Sequence, residues 1–400
     1  MNYYNAAKKI VETLSSKGFI AYFAGGWVRD HLLGRNADDI DIATNATVDE
    51  IMALFPKTIP VGINFSILIV VQDGVHAEVA TFRKESDYED GRRPNRIIHC
   101  GPEEDAKRRD FTINGMFFDP LTEKIYDFVG GKIDLEKKII RAIGDPHHRF
   151  FEDRLRMIRA CRYSARFGFP IEEQTQKAII SHASELFPAV AIERVYDEFK
   201  KMVREHHLFD GLLLMHKFGL LNVIFKGLPL LSHEKLEKKL KGLPQFPDET
   251  YPIIFLYELF EDLSLEKKLS LCKAFKVSNK EIQFTQELEK WKFSLHASNY
   301  DLVHLYAHSE SKLCQTITAI YLDDKSFLSF HKKKQAELSA HVDRLISSTP
   351  LITSKDLMDL GIKPGIVLGK ALKKAEEICI NYNLSSKTEV LKLLQANLDL

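Results

Sequence analysis

Near Pro146 this 400-residue chain changes its pattern, and that change limits what it can fold into. Before it, short apolar runs alternate with helical periods; after it, the sequence reads as almost wholly helical. Residues 2–17 carry Ala6, Ala7, Ile10, Val11 and Leu14 on a 3.6 period and read as a helix. Phe19–Ala24 is β-prone and ends at Gly25-Gly26, with a brief helix expected over Trp27–Leu33. Asp39–Ala43 alternates as a strand, and Val48–Phe55 reads as a short helix capped by Thr47. Phe65–Gln72 and Ala77–Arg83 read as strands around an Asp73-Gly74 hairpin signal. Lys84–Asn95 is polar, carries Gly91 and Pro94, and reads as a loop. A helix is expected from Glu103 to Met116 behind Pro102, then short strands at Ile125–Val129 and Ile139–Ala142. The expected fold class is α+β: a mixed sheet with helices, followed by an all-helical second half.

Composition narrows the class. Apolar residues make up 45% of the chain and the formal net charge is +0, which excludes disorder as its main state. The longest apolar runs, such as Ile67–Val71, are far too short to span a bilayer. The first residues form an amphipathic pattern without a signal-peptide or transit bias. Cys100, Cys161, Cys272, Cys314 and Cys379 lie far apart, with no zinc spacing. An odd, scattered set of cysteines fits a reducing compartment, so a cytoplasmic protein is expected. Zero net charge argues only weakly against nucleic acid, because charge placement decides. Arg149, Arg154, Arg156, Arg159, Arg162 and Arg166 crowd one short segment.

The sharpest chemical feature is Asp39-Ile40-Asp41. In a strand, residues i and i+2 share a face, so both carboxylates project to one side. Clustered carboxylates repel each other, and hard Mg²⁺ relieves this while keeping room for water and phosphate oxygens. Glu78, in the strand HAEVATFR, can supply a third carboxylate. Upstream, Gly25-Gly26 sits at a strand-to-helix junction where backbone can approach a phosphate, with Arg29 one turn inside. Either feature alone is common. Together they equip a site for in-line transfer of a nucleotidyl group.

GGWVRDHLLG, DDIDIAT, EVATFR, KRRDFTINGMFFDP and FEDRLRMIRACRYSARFGF follow one another in this order. The series resembles the motifs of the class II CCA-adding enzyme and bacterial poly(A) polymerase family, densely over about residues 19–205. The resemblance implies a polymerase-β-like nucleotidyltransferase head over 1–145. It further implies a helical neck over 146–205, a body over 206–305 and a tRNA-binding tail over 306–400. It implies Asp39 and Asp41 as metal carboxylates with Mg²⁺, and Gly25, Gly26 and Arg29 about the incoming nucleotide. Arg109 would bind triphosphate and Asn114 would sit near the ribose. The implied partners are the tRNA 3′ end, ATP and CTP, with no membrane and no obligate protein partner.

Asp153 and Arg156, three apart on an expected helix, should share a face. Cytosine and adenine both present an amino donor beside a ring-nitrogen acceptor, which an Asp acceptor and an Arg donor match. Uracil and guanine present the reverse and would leave like groups facing each other. The resemblance assigns this selecting role to Asp153 and Arg156 and extends nucleotide contacts to Arg159 and Arg162. Each three-residue step drifts ~60° round a helix, so Arg162 lies about half a turn from Asp153. Its side chain must reach round, or it serves phosphate or a neighbouring helix.

The segment Asp356–Gly365, with Lys363 inside it and Lys370, Lys373 and Lys374 after it, is similar to the tail of CCA-adding members and suits RNA phosphates. Phe255, Tyr257 and Phe260 read as core rather than base-stacking platforms. The leading expectation is template-independent addition of C, C and A to tRNA. The alternatives are a poly(A) polymerase, a partial enzyme adding only A or only CC, and a non-catalytic RNA-binding protein. The Asp87–Pro94 segment resembles the flexible loop of full CCA-adding enzymes and favours the first.

Overall fold

The apolar stripe of the first helix, α1 (Tyr3–Ser16), is buried as its period requires, and it packs on the sheet below it. The computed structural model describes residues 3–37, 39–62, 66–88, 94–241 and 246–398. The strands are β1 (Ala21–Ala24), β2 (Asp41–Thr44), β3 (Thr58–Gly62), β4 (Ile67–Gln72), β5 (Val75–Thr81), β6 (Arg83–Tyr88), β7 (Pro94–His99), β8 (Met116–Asp119) and β9 (Lys124–Asp127). A mixed seven-stranded sheet runs in the order β3-β4-β5-β2-β1-β8-β9, and β6 pairs with β7 separately. Strand β2 therefore lies inside the sheet, parallel to β5 and antiparallel to β1. Phe23, Phe82 and Phe117 are fully buried about it, each contributing on the order of 2–3 kcal/mol.

Helices α2 (Gly26–Leu32), α3 (Val48–Leu54), α4 (Pro102–Lys107) and α5 (Gly131–Glu136) connect and cover these strands. Thr47 and Glu50 close a reciprocal capping box at the start of α3, as the Thr47 cap predicts. Then come α6 (Pro146–Glu152), α7 (Leu155–Phe167), α8 (Glu173–His182), α9 (Leu186–Ala189), α10 (Ile192–Met202), α11 (Leu208–Lys217) and α12 (Leu220–Ile224). The mixed-sheet head and the helical remainder agree with the expected fold class.

Several local expectations are corrected. The segment 84–95 is not a plain loop: strands β6 and β7 form an antiparallel hairpin, while 89–93 lie outside the described residues. The expected helix from Glu103 to Met116 stops at Lys107. Asp110 accepts from the Phe111 backbone N–H at 2.8 Å, and a short 3-10 turn (Thr112–Asn114) leads straight into β8. Ile139–Ala142 forms only isolated bridges, Ile140 with Ile171 and Phe111 with Ala142. Strand β3 is an addition; Pro60 in its middle and Gly62 at its end hide the Ile59/Val61 alternation in sequence, and it pairs with β4 at the sheet's edge.

The chain divides into two compact units, Met1–Glu237 and Lys238–Leu400. The second is helical and has its own core. Phe255, Tyr257 and Phe260 are buried there, as expected, and so is His331, bonded to Ser294 and Tyr306. A smaller apolar cluster around Leu357, Ala375 and Leu394 holds its last helices together. Among the described residues no helix is long and apolar enough to cross a membrane.

Candidate active site

Asp39 and Asp41 lie at the start of β2 and are exposed, while Ile40 between them and Ile42 after them are buried. The alternation that placed both carboxylates on one face is thus preserved, although only Asp41 belongs to the ladder. Ile42 pairs with Val79 of parallel β5, so Asp41 and Glu78, one residue earlier on each strand, flank one another. The electrostatics report this crowding. Surrounding protein, then Glu78 and Asp39, push the Asp41 carboxyl up to about 7, against the pull of Arg109. Glu78 is raised by loss of water and by Asp39, with Arg83 opposing.

On the other side of β2, Asp41 pairs with Ala24 of β1, and the chain then turns at Gly25. Gly25 has φ of 65°, and a Cβ there would stand 2.9 Å from Arg109 Nη1. The glycine is required by backbone sign and by this close approach together. Arg109 donates from Nε and Nη2 to Asp105 Oδ2 at 3.2 and 3.1 Å and lies over the Phe117 ring. Asp105 is buried and also pairs with Arg108. Burial opposes its charge, but Arg109 and Arg108 hold its carboxyl below the usual range. One buried carboxylate thus fixes the cation beside the Gly25 turn.

Arg29 lies beside the start of α2, its Nη2 3.6 Å from where a Cβ on Gly26 would stand, but it is taken up by protein partners. It is 2% exposed, donates from Nε and Nη2 to Asp30 at 3.0 and 2.8 Å, and reaches Asn114 Oδ1 with Nη1. Its guanidinium stacks on Phe167 at 4.8 Å. Asn114 in turn donates to Asp110 at 3.0 Å. Arg159, on α7, grips Asp110 Oδ2 with Nε at 2.9 Å and Nη2 at 2.6 Å. Burial would raise the Asp110 carboxyl, but the Arg159 charge and the Asn114 hydrogen bond hold it well below the carboxylate range. Arg166 closes the far end on Asp30 at 3.0 Å. Arg166, Asp30, Arg29, Asn114, Asp110 and Arg159 therefore form one chain of polar contacts joining α2 and the 3-10 turn to α7.

Asp153 and Arg156 do not share a helix. Asp153 ends α6 in an extended conformation and α7 begins only at Leu155. The break has a local cause: Asp153 Oδ1 accepts from the Leu155 N–H at 3.1 Å, an Asx-turn contact that competes with helix continuation. Both side chains are fixed from behind. Arg156 Nη1 donates to Glu152 Oε2 at 2.7 Å and its Nη2 to the Arg108 carbonyl at 3.0 Å. Asp153 is gripped by Arg194 of α10. Arg162 serves the neighbouring helix: its Nε donates to buried Glu198 of α10, and its guanidinium lies 4.3 Å from the Tyr163 ring centroid.

The residue-by-residue reading missed the partners that hold these groups: Asp30, Asp105, Glu152, Arg194 and Glu198. Only Asp105 and Glu152 had a readable signal, lying three or four residues before an arginine they pair with. Among the described residues no group of three His, Cys, Asp or Glu side chains could hold a metal ion. The candidate ligand set is a pair of carboxylates, which suits a hard cation finishing its shell with water and phosphate.

Comparison with known proteins agrees with this layout. Residues 21–141 match the model of the poly A polymerase head domain. Residues 168–231 match that of an RNA and SrmB binding site of polymerase A, and 245–394 that of tRNA nucleotidyltransferase domain 2. The chain is 34% identical to the CCA-adding enzyme of Lactococcus lactis subsp. lactis, over 97% of each chain. It is 34% identical to that of Bacillus cytotoxicus, over 98% of each. The structure of the Bacillus stearothermophilus CCA-adding enzyme in complex with CTP superposes with a TM-score of 0.81. That match has 26% identity and covers 99% of this chain and 98% of the other.

Proposed function

The chain belongs to the CCA-adding enzyme family, and on that premise we propose that it adds C, C and A to the 3′ end of tRNA. Addition proceeds without a template, from CTP and ATP, with release of pyrophosphate. The observation that carries the reading is the edge of β2. There Asp41 and Glu78 flank one another on parallel strands, while the Gly25 turn and its packed Arg109 stand on the opposite side of Asp41. Carboxylates beside a fixed guanidinium suit a nucleoside triphosphate at one end and the attacking 3′-hydroxyl of the RNA at the other.

Asp39 and Asp41 would hold Mg²⁺, and the crowding that pushes the Asp41 carboxyl up to about 7 fits a site built for an added cation. When bound, such ions activate a hydroxyl and neutralise a leaving pyrophosphate. Glu78 adds negative potential beside them. Gly25 and Gly26 let backbone approach phosphate, and Arg109 faces its negative charge. Asn114 stands near the ribose with Arg29 behind it. Asp153 accepts from the amino group of cytosine or adenine while Arg156 donates to the ring nitrogen; uracil and guanine reverse both contacts. Arg159, partly exposed though paired with Asp110, would add positive charge from α7, whereas Arg162 is committed to Glu198 and braces the neighbouring helix.

In this reading residues 1–145 form the catalytic head, 146–205 the neck, 206–305 the body and 306–400 a tRNA-binding tail. A cytoplasmic place of action goes with it. Three tRNA transcripts, ending before CCA, after C and after CC, test the reading with each nucleotide supplied singly and together. The expected ladder adds C to the first two and A to the third, and completes all three with CTP and ATP. Long A tails, a stop at CC, or extension of the CC transcript alone would assign a poly(A) or partial enzyme instead.

A further inference from the structure

Asp153 is gripped from outside its own segment. Arg194, in the first turn of α10, sets Nη2 at 3.0 Å from Asp153 Oδ2 and Nη1 at 3.4 Å from Oδ1. This is the two-pronged geometry in which a guanidinium fixes the plane of a carboxylate as well as its place. Oδ1 also takes the Leu155 N–H at 3.1 Å. A carboxylate offers about four lone-pair positions, so these contacts leave one on Oδ2. The pair is neither sealed nor free in water: the side chains are 24% and 20% exposed. A base edge can therefore reach Asp153, and finds it in one orientation.

We propose that Arg194 is a positioning residue for base choice, fixing the rotation of the Asp153 carboxylate so that its remaining lone pair meets the amino group shared by cytosine and adenine. The inference rests on the reading of Asp153 as a base-edge acceptor. Arg156 is fixed by its near neighbour Glu152 and by the Arg108 carbonyl, so its aim does not depend on α10. Asp153 depends on Arg194, forty-one positions downstream, so its aim follows the placement of α10. Without Arg194, a carboxylate held only through Oδ1 turns about its last bond, and the acceptor leaves the plane of the base.

The test compares wild type, Arg194→Ala, Arg194→Lys, Asp153→Ala and the Asp153→Ala/Arg194→Ala double variant. Each is assayed on a tRNA transcript lacking CCA with CTP or UTP, and on one ending in CC with ATP or GTP. Thermal midpoints are recorded beside kcat/KM. The expected result for Arg194→Ala is a loss of roughly 10- to 100-fold for CTP and ATP with little change for UTP and GTP, so discrimination falls by that factor. Arg194→Lys keeps the charge without the fork and falls between. Because Arg194 acts through Asp153, the double variant discriminates no worse than Asp153→Ala alone. Equal loss on all four nucleotides, or full additivity in the double variant, would make Arg194 a structural tie and overturn the proposal. If Asp153→Ala itself keeps full discrimination, the base-edge reading fails and the proposal with it. If Arg194→Ala does not fold, Arg194→Lys decides on the same ratio.

Discussion

Arg109 Nη1 stands 2.9 Å from the place a Cβ on Gly25 would occupy, so the turn after β1 and the cation after α4 are built against each other. Gly25→Ala must both adopt φ near 65° and push the guanidinium aside. The expected cost is about 1–3 kcal/mol in stability. The triphosphate KM rises as Arg109 loses its seat. Thermal melts and nucleotide titrations check the two effects separately. Normal melting and normal KM together would mean that the turn and Arg109 move independently.

Asp110 is the centre of the polar chain between α7 and the 3-10 turn. Asp110→Ala leaves the Arg159 guanidinium without its main partner, at a cost of about 3–5 kcal/mol. Chemical denaturation should show the loss in the first unit, and Asp110→Asn should lose less because it still accepts one hydrogen bond. A loss below about 1 kcal/mol for Asp110→Ala would mean that Glu198, 3.7 Å from Arg159, takes over.

How much of this was legible in sequence depends on the range of the contact. The Asp39–Ile40–Asp41 alternation, the Thr47 cap and the apolar stripe of α1 are short-range patterns, and they appear in the fold as read. The break at Asp153 was also local, because an Asp side chain can bond the backbone N–H two residues on and end a helix there. The arginine series stood out in sequence only as a crowded basic segment. Its partners lie far along the chain, Arg166 to Asp30 across 136 positions and Arg162 to Glu198 across 36. No spacing rule reaches that far, so the segment read as free positive charge when much of it is committed to buried carboxylates. The helix expected through Asp110 failed for a local and a distant reason together: its side chain accepts from the Phe111 N–H and from Arg159, forty-nine positions on.

His331 provides a pH test of the second unit. Burial holds its ring neutral down to about 4, whereas an unfolded histidine protonates near 6.5. Between those values the unfolded chain binds more protons. The contribution is therefore complete above about 6.5 and is lost as the pH falls toward 4, on the order of 3 kcal/mol. Urea midpoints from pH 7.5 down to 4.5 should fall more steeply in wild type than in His331→Gln. Parallel curves would remove His331 as the cause.

The hairpin of β6 and β7 is expected to bear on the last nucleotide added. Asp90 and Arg92 lie in the connection between its strands, outside the described residues. Replacing both with Ala should leave tRNA ending in CC while C addition continues, because one Asp–Arg reader must shift between bases of different size. Sequencing of product ends checks this. Equal loss of C and A, or no loss of A, would remove the segment as the switch.

The central claim is that the carboxylates opening β2 carry the chemistry while RNA affinity comes from basic contacts elsewhere. The direct measurement is the Asp39→Ala/Asp41→Ala double variant, scored for CTP addition to tRNA lacking CCA and for tRNA binding at fixed salt. The account predicts that addition is lost and that the tRNA Kd stays within about 2-fold of wild type. Retention of more than a few per cent of the addition rate, or loss of tRNA binding in step with activity, would contradict it.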